Sequence, residues 1–375
     1  MIPGYANAQG TARYRDRHPQ LSDSGHFRRP HLVPCMEELW IPSIGLGTYL
    51  GEPDQACDQR YAEAIAVALQ SGINLLDTAI NYRHQRSERA LGQALAGMVE
   101  AGRVLRDEVV VCTKAGYLSL DGDVPPDPRA YFMREYVEPG IVELRDIVGG
   151  MHCMAPRFLE DQIERSRRNL GLATIDVFYL HNPETQIGAV GPETFYGRLA
   201  QAFALLERLV KEGTIRCYGC ATWNGFRLPP EQGDGMGLSR VLEMAREAGG
   251  DQHHFRVIQL PFNLHMAEAY GLRNQEAGDE FLSTLELAAR AGVAVVGSAT
   301  LHQGQLAAEL PEFIGQALGM AGGAENAIQF ARSAPGLATA LIGMSRKEHV
   351  AANLKVAQLP PASLEKWKSL FSREE

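Results

Sequence analysis

The chain has 375 residues, of which 45% are hydrophobic and 22% are charged, and its formal net charge is −9. This composition is typical of a globular enzyme with a large core, and the negative charge argues against a surface for nucleic acid or anionic membrane. No apolar run approaches the ~18 residues of a transmembrane helix. We therefore expect a small-molecule ligand, with no nucleic-acid or membrane partner, and the sequence leaves the oligomeric state open.

The predicted location is the reducing cytoplasm, because the N-terminus is polar without the apolar region of a signal peptide and the six cysteines are scattered. Cys217 and Cys220 form a C-x-x-C pattern within a predicted strand. Residues three apart on a strand face opposite sides. Two packed thiols are therefore expected rather than a metal site or a disulfide.

Regular elements are predicted from residue 44 onward, after an irregular N-terminal arm at 1–38 that shows no periodicity. The predicted strands are 44–48, 73–77, 108–113, 175–180, 214–220, 255–260, 293–297 and 338–342. The predicted helices are 56–71, 87–97, 157–170, 193–212, 237–248, 279–291 and 346–355. Residues 358–375 are interpreted as a C-terminal tail.

Apolar strands that alternate with helices indicate a parallel sheet closed into a single-domain (β/α)₈ TIM barrel over 39–357. An open doubly wound sheet is the alternative. The glycines between Gly45 and Gly51 do not have G-x-G-x-x-G spacing and no helix follows at once, so a Rossmann phosphate loop is rejected.

A long, proline-containing insertion, 115–156, follows the third predicted strand. Connections of this length are usually a lid or a binding loop. A surface insertion without a function fits its composition equally well.

Ionisable side chains occur where three successive predicted strands end, namely Asp77, Lys114 and His181, and Tyr82 follows the first of them. All strands of a barrel end on one face, so these four side chains should converge at one mouth. Singly, each could be a loop cap, a surface charge or a packing residue, but four at adjacent strand ends favour a site. A buried lysine needs a carboxylate partner, and Asp77 is the candidate.

The residue types suggest proton transfer to a carbonyl oxygen. A tyrosine, with a pKa near 10, exchanges protons poorly at neutral pH unless a cation stabilises its phenolate. Lys114 would supply that cation to Tyr82, Asp77 would hold Lys114, and His181 would orient the carbonyl oxygen. No strand end offers clustered metal ligands. The hydride or nucleophile is therefore expected from a cofactor, and no metal is predicted.

The motifs that carry these residues are D-T-A-x-x-Y, then S-E-x-x-L-G, then T-K after a β-run, then Y-L-H. This order and spacing resemble the aldo-keto reductase superfamily from about Ser43 to Asn353, most specifically in the four residues above and in Gly47-Thr48-Tyr49. The resemblance implies a barrel without a Rossmann domain that binds NADP(H) across its mouth. It also implies carbonyl reduction by hydride transfer, with Tyr82 as the acid and Tyr49, Tyr82 and His181 near the substrate.

The resemblance further implies cofactor contacts. The expected contacts are Thr48, Asp77, Gln259 and Ser298, with Leu301 and Gly304 at the diphosphate and Gly343, Ser345, Arg346, His349 and Asn353 at the adenosine end. The chain departs from the family pattern at Ala221-Thr222, where Ser-Asn usually helps bind the carboxamide, and at Ser298, where an aromatic often stacks on nicotinamide. Gly343 and His349 also replace basic residues of many NADP-specific members.

The coenzyme expectation is NADP(H), with NAD(H) as the alternative, because Ser345-Arg346-Lys347 offers donors for a 2′-phosphate at the start of the last helix. The resemblance thus implies an NADP-dependent oxidoreductase that reduces an aldehyde or ketone. An aldose or alcohol dehydrogenase that runs the same site oxidatively with NAD is the first alternative. A non-catalytic NADP-binding regulatory barrel is the second, which the four intact residues disfavour.

Overall fold

Eight parallel strands close into a barrel in the computed structural model, which describes residues 1–30, 36, 38–308 and 310–371. The strands, β1–β8, are Ile44–Gly47, Leu75–Asp77, Val110–Ala115, Ile175–His181, Ile215–Ala221, Phe255–Pro261, Ala294–Ser298 and Leu337–Gly343. Each pairs in parallel with its neighbours, and β8 pairs with β1. Closure confirms the TIM barrel and excludes the open doubly wound sheet.

The strands are buried on both sides, which explains why the sequence shows apolar runs rather than alternation. Alternate residues pack into two clusters, one inside the barrel and one between the strands and the helices. Cys217 belongs to the inner cluster and Cys220, a free thiol, to the outer one. The expected placement of this pair on opposite faces is confirmed.

Helices surround the barrel. The α-helices α1–α15 are Ala8–Asp16, Pro19–Asp23, Gln55–Ser71, Arg86–Glu100, Pro128–Phe132, Pro156–Leu170, Ile187–Val190, Pro192–Lys211, Leu238–Gly249, Glu268–Gly271, Thr284–Arg290, Glu312–Leu318, Gly323–Ser333, Lys347–Ala357 and Leu364–Ser369. Short 3₁₀ segments lie at Arg106–Glu108, Leu144–Asp146, Pro183–Gln186, Gly250–Gln252 and His302–Ala307, and a π turn lies at Met133–Val137. Within the described residues, no helix is long and apolar enough to cross a membrane.

The prediction of an irregular N-terminal arm was wrong for the part that forms α1 and α2. The buried residues of α1 are Gly10, Thr11 and Tyr14, a small and polar face without apolar periodicity. Ala6 donates its backbone N–H to Asp176 Oδ1 at 2.7 Å, so the arm covers the N-terminal end of the barrel, opposite the mouth. Residues 31–35 and 37 of the predicted arm lie outside the described residues.

Three further differences lie in the second half of the chain. The helix predicted at 279–291 starts only at Thr284, because Glu280–Leu282 pairs with Gln275–Ala277 in a hairpin. The helices α12 and α13 were not predicted; Gly315 lies within the first, and Gly319, Gly322 and Gly323 lie at the junction of the two. The predicted tail contains α15, whose Trp367 is buried and stacks on Phe330 with ring centroids 5.2 Å apart. In the first half of the chain, Phe27–Arg28 pairs with Ile41–Pro42, so residues 27 and 28 of the predicted irregular arm also form a short ladder.

Candidate active site

Three of the four ionisable residues lie at the mouth of the barrel because of where their strands end. Asp77 is the last residue of β2, Lys114 is the last but one of β3, and His181 ends β4. These strands are neighbours in the sheet, so the side chains meet at one place. Tyr82 joins them from the loop between β2 and α4.

Lys114 is the centre of this group. Its Nζ lies 2.5 Å from Asp77 Oδ1, 2.8 Å from the carbonyl oxygen of Thr78 and 3.4 Å from the Tyr82 hydroxyl. The side chain is fully buried. Burial alone would lower the pKa of Lys114, but the Asp77 carboxylate and Tyr82 together raise it above its usual value. The amine therefore stays an ammonium, as a buried lysine with a carboxylate partner should.

Asp77 is held on its other side by two of the predicted cofactor residues. Gln259 Nε2 donates to Asp77 Oδ2 at 2.8 Å, and the backbone N–H of Thr48 donates to the Asp77 carbonyl oxygen at 3.1 Å. Gln259 lies near the end of β6, so this bond crosses the mouth. Gln259 thus contacts the carboxylate of the ion pair, and Thr48 contacts the backbone of Asp77.

Tyr82 lies between two aromatic rings. Its ring centroid is 5.0 Å from that of Tyr49 and 5.6 Å from that of His181, both in edge-to-face geometry. Burial raises the pKa of Tyr82, and Lys114 opposes this rise without cancelling it. The effect of Lys114 has the expected direction, but burial is the larger cause. Tyr82 is therefore a neutral phenol with a proton to donate.

His181 is a neutral imidazole. Burial, then the charge of Lys114, then His152 lower the pKa of His181 well below its usual value. Its Nδ1 lies 3.2 Å from Asn81 Oδ1, which fixes the plane of the ring. A neutral ring beside Tyr82 can orient an oxygen without adding a second positive charge to the site.

The loop that carries Tyr82 has an unusual backbone. Arg83, His84 and Gln85 have φ of 49°, 56° and 70°, the left-handed region that non-glycine residues rarely adopt. The side chain of Arg83 is held by the carbonyl oxygen of Glu52 at 2.9 Å and by the Asp58 carboxylate. Strained residues of this kind cluster at active sites because surrounding contacts must enforce them.

The stem of the insertion, residues 116–118 and 151–153, reaches the mouth. Tyr117 and His152 pair in a β-bridge, and the Tyr117 ring lies 5.2 Å from that of His181. Further along the insertion, Gly122 donates its backbone N–H to the carbonyl oxygen of His84, in the loop that carries Tyr82, at 2.8 Å. Buried Tyr136 packs on α6, with its ring centroid 5.9 Å from that of Phe158.

Three residues around His181 were missed in the sequence: Asn81, Tyr117 and His152. Asn81 lies inside D-T-A-x-x-Y, so its position beside Tyr82 was a usable signal. Tyr117 and His152 lie in the insertion, where no periodic pattern indicates which side chains point toward the mouth of the barrel.

The remaining predicted cofactor residues lie across the mouth, at the ends of β7 and β8. They are Ser298, Leu301, Gly304, Gly343, Ser345, Arg346, His349 and Asn353, and each is half-buried or exposed. Because β8 pairs with β1, these residues lie next to the strands that carry Thr48 and Asp77. Among the described residues, no three His, Cys, Asp or Glu side chains gather as metal ligands would.

The architecture defines a (β/α)₈-barrel protein with its ionisable groups gathered at the mouth. The model of the Aldo/keto reductase family matches residues 43–228, and this part of the chain belongs to that family. It is 32% identical over 197 residues to D-threo-aldose 1-dehydrogenase of a Pseudomonas species, which covers 48% of this chain and 50% of that protein. It is 29% identical over 192 residues to NADH-specific methylglyoxal reductase of Escherichia coli (strain K12), with 49% of each chain covered.

These matches span about half the length of both curated relatives. Among solved structures, an aldo/keto reductase from Klebsiella pneumoniae in complex with NADP and acetate superposes with a TM-score of 0.56 at 21% identity. The superposition covers 89% of this chain and 92% of that one, which shows the shared fold.

Proposed function

We propose that the protein is an NAD(P)H-dependent oxidoreductase that reduces an aldehyde or ketone to an alcohol, with Tyr82 as the general acid. The observation that carries the proposal is the contact of the Tyr82 hydroxyl, 3.4 Å from Lys114 Nζ, in a cluster completed by Asp77 and His181. Within hydrogen-bond reach of that phenol and the imidazole, a carbonyl oxygen would receive a proton.

Each residue has a separate task in this reaction. Tyr82 donates its proton to the carbonyl oxygen, and the resulting phenolate is stabilised by the ammonium of Lys114. Asp77 keeps Lys114 charged and in place, since a buried ammonium without a partner is costly. His181, neutral and held by Asn81, orients the oxygen that receives the proton. Tyr49, whose side chain is 56% exposed, would contact the substrate from the solvent side.

NAD(P)H, when bound, supplies the hydride. The β7–β8 side of the mouth fits such a cofactor: a Cβ added at Gly343 would meet no atom within 4 Å, so the backbone there is open to a ligand. Leu301 and Gly304 would hold the diphosphate, and Ser298 would lie beside the nicotinamide.

The adenosine end of the cofactor would contact Gly343, Ser345, Arg346, His349 and Asn353. Arg346 precedes the first turn of α14, whose N-terminus has no side-chain cap. Free N–H groups and a guanidinium there suit a 2′-phosphate. We therefore favour NADP(H), with NAD(H) as the alternative that the NADH-specific relative supports.

An oxidative direction is the second candidate. The Pseudomonas relative is named a dehydrogenase of D-threo-aldoses, and a phenolate at Tyr82 could accept the hydroxyl proton of an alcohol. The same residues would serve both directions, so the candidates differ in coenzyme and substrate rather than in the site.

The test is to follow nicotinamide absorbance while the protein is mixed with NADPH or NADH and a panel of aldehydes and ketones, and then with NAD(P)⁺ and aldoses. Turnover of a carbonyl with NADPH supports the first candidate. Turnover only of aldoses with NAD⁺ supports the second. NADPH binding without turnover in either direction would contradict the proposal and indicate a regulatory barrel.

A further inference from the structure

A chain of five aromatic rings follows one side of the mouth. Its members, in edge-to-face contact, are Tyr49, Tyr82, His181, Tyr117 and His152, with centroids 5.0, 5.6, 5.2 and 5.0 Å apart. Tyr82 and Tyr117 thus flank His181. A molecule whose carbonyl oxygen lay against Tyr82 and His181 would therefore have Tyr117 on the other side of His181.

Tyr117 is fixed in place by its backbone neighbours. It follows Gly116, where an added Cβ would lie 2.5 Å from the carbonyl oxygen of His181, so only glycine fits. The backbone N–H of Cys153 donates to the Gly116 carbonyl oxygen at 2.7 Å. The stem of the insertion therefore cannot shift without also moving His181.

The ring of His152, which packs against Tyr117, is itself held in place by two hydrogen bonds. Its Nδ1 lies 3.0 Å from Gln186 Nε2, which can only donate, so the hydrogen of the neutral ring is on Nε2. That nitrogen lies 2.9 Å from the carbonyl oxygen of His181 and donates to it. Burial lowers the pKa of His152 to about 4, so this arrangement persists at neutral pH.

The hydroxyl of Tyr117 has a free hydrogen. Asn182 Nδ2 donates to this hydroxyl at 3.0 Å, and an amide nitrogen cannot accept a hydrogen bond in return. Among the described residues, no acceptor for the Tyr117 hydrogen lies within hydrogen-bond distance. The side chain is only half-buried. Burial also raises the pKa of Tyr117, so the hydrogen stays on the oxygen.

We propose that Tyr117 determines specificity by donating this hydrogen to an oxygen on the carbon next to the substrate carbonyl. The preferred substrates are then carbonyl compounds with an adjacent hydroxyl or carbonyl group, such as 2-hydroxyaldehydes and 2-oxoaldehydes. The inference rests on the proposed function and adds to it the substrate class. In this role Tyr117 takes no part in the reaction itself, because the oxygen to which it donates a hydrogen bond does not react.

The experiment compares two aldehydes of one carbon skeleton, 2-hydroxypropanal and propanal, by their kcat/KM with the preferred coenzyme. Wild-type protein is expected to favour 2-hydroxypropanal, and Tyr117→Phe should reduce that preference about three- to tenfold, the worth of one neutral hydrogen bond. The change should appear in KM for 2-hydroxypropanal rather than in kcat, because the bond is present before and during the reaction.

The matched control is Tyr136→Phe, a hydroxyl in the same insertion that donates to the carbonyl oxygen of Ser119 at 2.6 Å, away from the mouth. Its preference should equal that of the wild type. Asn182→Asp is a second variant, because a carboxylate would accept the Tyr117 hydrogen and divert it from the substrate. This variant should lose the preference while it keeps the phenol ring.

An unchanged preference in both Tyr117→Phe and Asn182→Asp would overturn the inference while the proposed function stands. An equal loss in Tyr136→Phe would overturn it as well, since the effect would then be one of general stability. Failure of the wild type to reduce either aldehyde, with turnover of other carbonyls, would remove the substrate class alone. Absence of all turnover would remove the proposed function too.

Discussion

The two sides of the barrel mouth differ in how far the protein arranges them by itself. On the β2–β4 side, Asp77 and Lys114 are buried and paired with each other, and half-buried Tyr82 contacts Lys114. On the β7–β8 side, Arg346 and His349 are exposed, and the Arg346 side chain makes no hydrogen bond to another described residue. A buried charge is costly unless it is paired, so its partner must lie within the folded protein, whereas a residue that binds a ligand can stay exposed until the ligand is bound. The β2–β4 side is therefore formed by contacts within the protein, and the β7–β8 side is completed when the ligand binds.

The largest effect is expected when the ion pair on the β2–β4 side is broken. Asp77→Asn leaves the Lys114 ammonium buried without a carboxylate, which should cost about 3–5 kcal/mol in the free energy of unfolding. Urea denaturation measures this loss. Asp107→Asn is the control, because its pair with Arg13 is partly exposed and is expected to contribute less than about 1 kcal/mol. Equal losses in the two variants would show that the Asp77–Lys114 pair contributes no more to stability than a partly exposed pair does.

A second buried carboxylate, that of Glu184, lies next to the β2–β4 side and contacts the loop after β5. Glu184 Oε1 accepts the backbone N–H groups of Trp223 at 2.6 Å and Asn224 at 3.2 Å, and burial raises the pKa of Glu184 to about 7. The folded state therefore binds this proton more tightly than the unfolded state, whose carboxyl titrates near 4.5. Stability from this group is complete below pH 4.5 and is lost as the pH rises to 7.

Glu184→Gln should remove that loss, so its stability relative to the wild type should rise by about 3 kcal/mol between pH 4 and pH 8. Denaturation curves over this range test the prediction. The exposed Glu160→Gln serves as the control and should follow the wild type at each pH. Parallel curves for Glu184→Gln and wild type would mean that Glu184 is ionised in the fold at neutral pH.

On the β7–β8 side, Arg346→Ala tests whether the Arg346 side chain contacts the bound coenzyme. The loss of a charge-assisted bond to a 2′-phosphate should weaken NADPH binding by about 1.5–3 kcal/mol and change NADH binding little. Fluorescence titration with both coenzymes measures this difference. Lys355→Ala, in the last turn of the same helix, is the control for general charge. Equal weakening of NADPH and NADH would favour the NAD-dependent dehydrogenase.

The smallest expected effect concerns the charge beside Tyr82. Lys114 lowers the pKa of Tyr82 against the effect of burial, so Lys114→Met should raise it further. Alcohol oxidation needs the phenolate, and its pH–rate profile should therefore move to higher pH by about one unit or more. Lys211→Met, on the exposed end of α8, should leave the profile in place. An unmoved profile in Lys114→Met would show that another group governs this proton.

The sequence was most informative where burial leaves few choices. The apolar runs of β4 and β6 could be located to within about a residue, because both faces of those strands are covered. Asp77, Lys114 and His181 could be assigned to one mouth because each ends a strand. Helix α1 could not be found in the same way, since its buried residues, Gly10, Thr11 and Tyr14, do not form an apolar stripe.

The rest of the site depends on loops whose paths no local pattern dictates. Tyr117 and His152 lie 35 residues apart in an insertion, and only their β-bridge and the close approach at Gly116 bring them to His181. Glu184 likewise obtains its role from the backbone of another loop. The positions on the β7–β8 side could be named only through the family resemblance. Arg346 and His349 are exposed, so no packing or pairing pattern in the sequence points to them.

The most direct test of the arranged side is the single-turnover rate of Tyr82→Phe, measured by stopped flow after the protein has been saturated with NADPH and mixed with an aldehyde that the wild type reduces. The rate is expected to be lower by about 10²-fold or more, because the ring remains but the proton donor is gone, and the NADPH dissociation constant should be unchanged. A rate close to that of the wild type would contradict the assignment of Tyr82 as the acid.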